Sequence, residues 1–126
     1  MKVDGPVMAL RHVWSAYECA WSETDAERRD GIFSQTLDTS FIYSDPVIRT
    51  EGYGPLSDYI AQLQSKLPGM RIVTTSHEEH HDICLVKWTM QDGHRNALAQ
   101  GVTCGEMIAS DRLIKAAVFY DLPAQA

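Results

Sequence analysis

Apolar residues recur at intervals of three and four in the first half of the chain and at intervals of two in the second. Val7, Leu10, Trp14, Tyr17 and Trp21 follow the first rhythm, which places them on one face of an amphipathic helix. Asp4, Gly5 and Pro6 precede them as a start signal. Stop and restart signals fill residues 22–25, with Ser22 and Asp25 at capping-box spacing, and predict a second helix over 26–37. At residues 40–46, Ser-Phe-Ile-Tyr-Ser-Asp-Pro, the rhythm changes to alternation among aromatic and β-branched residues, the pattern of a short strand. Phe41, Tyr43 and Asp45 then point to one side. Pro46 cannot donate to a ladder, so the strand ends there or lies at an edge.

Gly52-Tyr53-Gly54-Pro55 opens a third helix, striped by Leu56, Tyr59, Ile60, Leu63 and Leu67 and closed by Pro68-Gly69. Everything beyond reads as strands, over 71–76, 81–90, 97–108 and 113–122, with Pro123 ending the last. Asp92-Gly93 is a hairpin signal and Ser110-Asp111-Arg112 a second turn. Gly101 and Gly105 offer bends within the longest strand. Helices segregated from the main sheet define an α+β fold. A chain of 126 residues, without repeat or linker, suits one domain with one core.

Composition narrows the partners. The formal net charge of −6 disfavours phosphate backbones, so nucleic acid is not expected. The one basic doublet, Arg28-Arg29, is flanked by Glu27 and Asp30 and reads as a solvated helix face. Arg11 and His12 interrupt the N-terminal apolar run, and no stretch approaches the roughly 20 apolar residues of a span. Neither a secretory leader nor a membrane segment is expected. Cys19, Cys84 and Cys104 are odd in number and lack metal-ligand spacing, which suggests small core residues in a reduced, cytoplasmic setting.

Asp45 carries the candidate chemistry. Beside Phe41 and Tyr43 it would face an apolar space, where partial desolvation strengthens a carboxylate as a base. Asp-Pro is also a turn former, and that reading stays open beside the first. Tyr17, on the apolar face of the first helix, is either a core tyrosine or a phenol able to polarise a carbonyl. Trp14, Trp21, Trp88, Tyr59, Phe119 and Tyr120 supply aromatic surface for a core or a cavity wall. His77-Glu78-Glu79-His80-His81 spells the H-E-x-x-H zinc motif. Its histidines meet on a helix, about 6 Å apart, but stand about 13 Å apart on a strand. The flanks favour strands joined by this segment, so no metal is expected. His81 alone could face a cavity as an acid or base, or be a hydrogen-bonded structural residue. There is no glycine-rich phosphate loop and no nucleophile elbow, and no cofactor is expected.

The order of elements, with Tyr43-Ser44-Asp45-Pro46 ending the short strand, Gly52 before the third helix, Pro68-Gly69, His80-His81-Asp82 leading to Trp88, and Phe119-Tyr120 ending the last strand, resembles the nuclear transport factor two-like superfamily. Within it the chain resembles the SnoaL-like group and the ketosteroid isomerases, over nearly its whole length. The resemblance implies a cone-shaped α+β barrel, with three N-terminal helices on a strongly curved, mostly antiparallel sheet. It implies an apolar interior and a homodimer through the outer sheet face. It implies Asp45 as the proton-shuttling base and Tyr17 as hydrogen-bond donor to a substrate oxygen. The pocket-lining candidates are then Trp14, Trp21, Phe41, Tyr43, Tyr59, His81, Trp88, Thr103, Phe119 and Tyr120.

One departure matters. The second acid of the family falls near Thr103, and residues 97–105 hold no Asp or Glu. Glu106 is close, but one strand step puts it on the other face. Three readings follow, because this fold hosts many activities. The chain is an enzyme moving a proton on a small apolar, carbonyl-bearing compound (isomerisation, cyclisation, dehydration or hydration), with Asp45 as base. Or it holds a hydrophobic ligand without converting it. Or it is a structural dimer subunit whose interior is filled by its own side chains.

Overall fold

The computed structural model describes the backbone of residues 4–121 and the side chains of residues 10–121. The side chain of Val7, and the whole of Leu122 and Pro123, lie outside the described residues. The order is α1 (Asp4–Cys19), α2 (Ala26–Thr36), β1 (Leu37–Ser44), β2 (Arg49–Glu51), α3 (Tyr53–Lys66), β3 (Arg71–His80), β4 (Ile83–Gln91), β5 (Ala97–Ile108) and β6 (Arg112–Phe119). The strands form one sheet ordered β2-β1-β6-β5-β4-β3. Among the described residues only β1 and β6 pair in parallel; the other neighbours are antiparallel. Among the described residues no helix is long and apolar enough to cross a membrane.

The helical stripe is buried as its spacing predicts. Leu10, Trp14 and Tyr17 of α1, and Trp21 just beyond it, join Phe33, Leu56 and Ile60 in the core. Asp25 caps α2, accepting from the Glu27 N–H at 3.0 Å. Ser22 is not the cap; its hydroxyl donates to the Cys19 carbonyl, 3.2 Å away, at the end of α1.

The basic doublet divides. Arg28 is exposed beside Asp25, but Arg29 is buried. The Arg29 guanidinium donates to the Glu23 carbonyl, to Ser57 Oγ at 2.9 Å and to Gln64 Oε1 at 2.8 Å. Residue 29 falls on the same side of α2 as Phe33, four positions later, so it points inward. The fan of donors on a guanidinium lets one side chain satisfy several neutral acceptors at once. This clamp ties α2 to α3.

Other departures from the expected elements are local. β2 is three residues long, too short for alternation to show; it pairs with Ile42–Ser44 across the turn that Asp45-Pro46 begins. β3 continues through His80, with a bulge between Thr74 and Ser76, so the histidine segment is mostly strand. Asp92-Gly93 does not make a two-residue turn. Asp92 Oδ1 accepts from the N–H groups of His94 and Asn96, and the positive φ of 67° falls on Arg95. Cys84 is buried, but Cys19 and Cys104 are exposed, since they fall between inward-facing positions. Burial pushes the Cys84 thiol up to about 12, which keeps it inert.

β5 runs unbroken through Gly101 and Gly105. Their purpose is room. A Cβ on Gly101 would run into the Trp88 ring, and one on Gly105 would meet the Trp14 ring at 2.7 Å. Both indoles therefore lie against bare backbone on the sheet face that the helices cover.

Gly105→Ala is expected to cost about 1–3 kcal/mol by overpacking, read as a lower urea midpoint at unchanged m-value. Gly31→Ala, at an exposed position of α2 with open space at its Cβ, is expected to stabilise by about 1 kcal/mol through helix propensity. Equal effects of the two would refute the packing argument.

Candidate active site

Between the helices and the covered sheet face lies a cavity of about 630 Å³. α1 contributes Trp14, Tyr17 and Glu18 to its wall, and α3 contributes Tyr59 and Leu63. The sheet contributes Tyr43, Ile72, Trp88, Met90, Leu98, Ala99, Gln100, Thr103 and Val118, with Trp21, Asp45, Val47, Tyr120 and Asp121 completing the lining.

Asp45 stands just past the end of β1. Its Oδ1 accepts from the backbone N–H groups of Val47 at 2.8 Å and Ile48 at 3.0 Å. Its Oδ2 accepts from the Tyr43 hydroxyl at 2.6 Å and the Tyr59 hydroxyl at 2.8 Å. A carboxylate offers about four lone-pair sites, and all are engaged. Both readings of this residue are thus realised in one side chain, the turn former on one oxygen and the cavity carboxylate on the other. Burial first holds the Tyr43 and Tyr59 phenols well above their ordinary range; Tyr17 and then Asp45 add to the rise at Tyr43, and Asp45 adds to it at Tyr59. They are neutral donors, and Tyr120 stands beside Tyr59.

Tyr17 is buried against Trp14, at 5.1 Å between ring centroids, and Phe41, at 5.7 Å. Burial raises its phenol too; Trp21 offsets part of that rise, while Glu18 and Asp45 add to it. Tyr17 and Asp45 therefore border one cavity. Thr103, where the second acid is missing, is buried and accepts from the Trp88 indole N–H at 2.9 Å. Glu106 is exposed and paired across the ladder with Lys115, whereas Thr103, Gly105 and Met107 are buried.

Three candidates stand outside the lining. Phe41 is fully buried against Tyr17. Phe119 is 63% exposed, because Val118 takes the inward position and the next residue must face out. His81 is an exposed turn residue with φ 55°, its Nδ1 3.2 Å from that of His80. His77 pairs instead with Glu79 two residues on, at 2.7 Å. Among the described residues no group of three His, Cys, Asp or Glu side chains stands close enough to hold a metal ion.

No family model matches the chain, and no curated protein does. Solved structures do. A "putative isomerase of the SnoaL-like family" from Agrobacterium tumefaciens str. C58 superimposes with a TM-score of 0.83 at 23% identity, over 91% of this chain and 99% of that one. A SnoaL-like protein of unknown function from Burkholderia thailandensis E264 gives 0.70 at 17% identity, over 91% and 97% of the two chains. A "putative polyketide cyclase" from Sinorhizobium meliloti gives 0.68 at 12% identity, over 85% and 93%. The chain has the SnoaL-like, NTF2-like fold.

On this SnoaL-like scaffold three polar lining residues among those described escaped the sequence reading, Glu18, Gln100 and Asp121, and Glu18 is the one held by a hydrogen bond from another element. Glu18 lines the cavity and accepts a hydrogen bond from the Thr74 hydroxyl at Oε2. Burial holds its carboxyl above the ordinary range, and Thr74 offsets part of that rise. The signal was present: Trp14, Glu18 and Trp21 follow the i, i+4, i+7 spacing of one helical face.

The raised phenols make an alkaline prediction. A tyrosine whose folded pKa lies above its unfolded value keeps its proton when the unfolded chain has lost it. Stability is then full below about pH 10 and falls as pH rises beyond that. Urea midpoints are expected to drop above pH 10, and less steeply in Tyr43→Phe than in the wild type. Identical slopes would contradict the assignment.

Proposed function

We propose that the chain binds a small, flat, largely apolar, carbonyl-bearing compound in this cavity and moves a proton on it, with Asp45 as base. The observation that carries the reading is a carboxylate held by two neutral phenols at the wall of a mostly apolar space of about 630 Å³, within the usual size range of ligand sites. A strongly curved, cone-like sheet around the cavity belongs to the same reading. The names of the similar proteins, a "putative isomerase" and a "putative polyketide cyclase", fit chemistry of this class.

The hydrogen bonds suggest how the base becomes available. Tyr59 is only partly buried. When a ligand carbonyl approaches, the Tyr59 hydroxyl turns from Asp45 Oδ2 to the carbonyl oxygen. That frees a lone pair on Oδ2 to take the α-proton. The C–H electrons form the enolate double bond, and Tyr59 stabilises the new charge on oxygen. Isomerisation, cyclisation, dehydration and hydration all begin or end with such a step.

The saturation of Asp45 and the neutral Thr103 favour a second reading, a module that holds the same ligand unchanged. The open volume beside Asp45 argues against an interior filled by its own side chains. 2-Tetralone in deuterium oxide separates the first two readings. Wild-type protein is expected to accelerate exchange of its α-hydrogens, and Asp45→Asn to slow that exchange about 100-fold or more, with binding retained by tryptophan fluorescence. Undiminished exchange in Asp45→Asn would remove Asp45 as the base. Binding without exchange in the wild type would select the binding module.

The reading includes a homodimer through the outer sheet face. Leu85, Cys104 and Ala117 stand in one row across β4, β5 and β6, and Lys87, Val102 and Phe119 in the next. Ile83, Leu85 and Phe119 are exposed there, an apolar patch of the kind that marks interfaces. Light scattering is expected to report a dimer, and Phe119→Lys a monomer. A monomeric wild type would refute the interface.

A further inference from the structure

Glu18 stands in the wall between two spaces. One is the large cavity. The other is a cleft of about 350 Å³ bordered also by Cys19, Ser22, Met70 and Arg71. Ile72 is the other side chain shared by both. The carboxyl has one side-chain hydrogen bond among the described residues, from Thr74 to Oε2. Oε1 is left for whatever occupies the neighbouring space. The bulge in β3 follows Thr74 directly, so this hydroxyl sits at a break in the ladder.

The cavity lining contains no Lys, Arg or His among the described residues. Besides the phenols, its ionisable groups are Glu18, Asp45 and Asp121, with Arg71 and Cys19 on the cleft side. Asp45 is held by β1, its turn and α3; Glu18 is held by α1 and β3. They share no hydrogen-bond partner and form two separate polar points on an apolar wall. Burial favours the neutral form of Glu18, which can donate a proton where the Asp45 carboxylate can only accept one.

We propose that Glu18 is the second acid–base residue of the cavity, donating from Oε1 to a ligand oxygen and regaining its proton from water in the cleft. The ligand is then an uncharged, flat compound with two oxygens, a carbonyl at Asp45 and a second acceptor at Glu18. In the transfer, the O–H bond at Glu18 breaks as the ligand O–H forms, and solvent returns the proton to the carboxylate. The catalytic half of this inference rests on the proton-transfer reading above; the binding half does not.

The test compares 6-methoxy-2-acetylnaphthalene, a neutral ketone with an oxygen at each end, with 2-ethyl-6-methylnaphthalene, which has no oxygen. Wild-type protein is expected to prefer the ketone, and to lose about tenfold of that preference as pH rises through the titration of Glu18. Glu18→Gln keeps a donor and loses the charge, so its preference is expected to persist and become independent of pH. Asp45→Asn is expected to retain the wild-type pH profile. An unchanged profile in Glu18→Gln, no preference in the wild type, or no binding of either compound would overturn the proposal. The ¹³C shift of the Glu18 carboxyl gives a second measure: titration in the ordinary glutamate range, unmoved by the ketone, would also overturn it. The 2-tetralone exchange of Asp45→Asn reports on the base alone, so failure of either assignment is distinguishable from failure of the other.

Discussion

Four donors converge on the Asp45 carboxylate, and the shape of the site depends on that convergence. Two are backbone N–H groups of the turn after β1, and two are phenols, from β1 and from α3. The turn returns the chain as β2, and the phenol of Tyr59 fixes α3 against the sheet. A carboxylate with its lone pairs filled is a low-cost charge to keep near an apolar space, because hydrogen bonds replace the water it gives up. Removing the carboxylate would leave those donors without their acceptor, so its position is held from several elements at once. The same arrangement sets the chemical problem, since a filled carboxylate accepts a proton only after releasing a donor.

The cavity survives because surrounding residues resist collapse. Large-to-small changes in ordinary cores are costly partly because the walls relax only in part; here the walls are rigid by composition. Trp88 is pinned by its bond to Thr103 and rests on the bare backbone of Gly101. Trp14 rests on Gly105. Trp21 packs on Tyr43 and edge-on to Tyr59, with centroids 5.4 Å and 6.4 Å away. Away from the cavity, buried Arg29 ties α2 to α3 through neutral acceptors. Rigid aromatic walls with few polar points are what a small-molecule site needs, and they forgo the burial that a filled core would supply.

Periodicity made most of the architecture legible, because it reports which face of an element loses water. The stripe of α3 and the full extent of β5 could be read directly. What escaped was decided by partners distant in sequence. β2 exists because it pairs with β1, and its three residues carry no pattern of their own. Arg29 is inside because Ser57 and Gln64 wait for it, and a doublet of arginines cannot announce that. Gly101 and Gly105 looked like bends because a glycine in a strand signals either a bend or a close approach, and only the tryptophans across the ladder decide between them. The H-E-x-x-H pattern lost its meaning once its segment became strand, where alternate residues pair instead: His77 meets Glu79.

Beyond Asp45, the acids of this cavity stand elsewhere than the resemblance in the sequence implies, although the fold is the one it implies. Position 103 holds a hydroxyl that the Trp88 indole has already claimed, and Glu106 faces away. Besides Asp45 and Asp121, a carboxyl borders the cavity from α1, one residue after Tyr17 and away from the strand that was searched. A cavity is indifferent to which element supplies a group; it responds to the position of the group and the dielectric around it. Helix and sheet both present side chains to this interior, so an acid lost from a strand can be matched by one on a helix without disturbing the ladder. A search for missing chemistry in such a fold therefore has to follow the lining of the cavity, element by element, rather than the alignment of one strand.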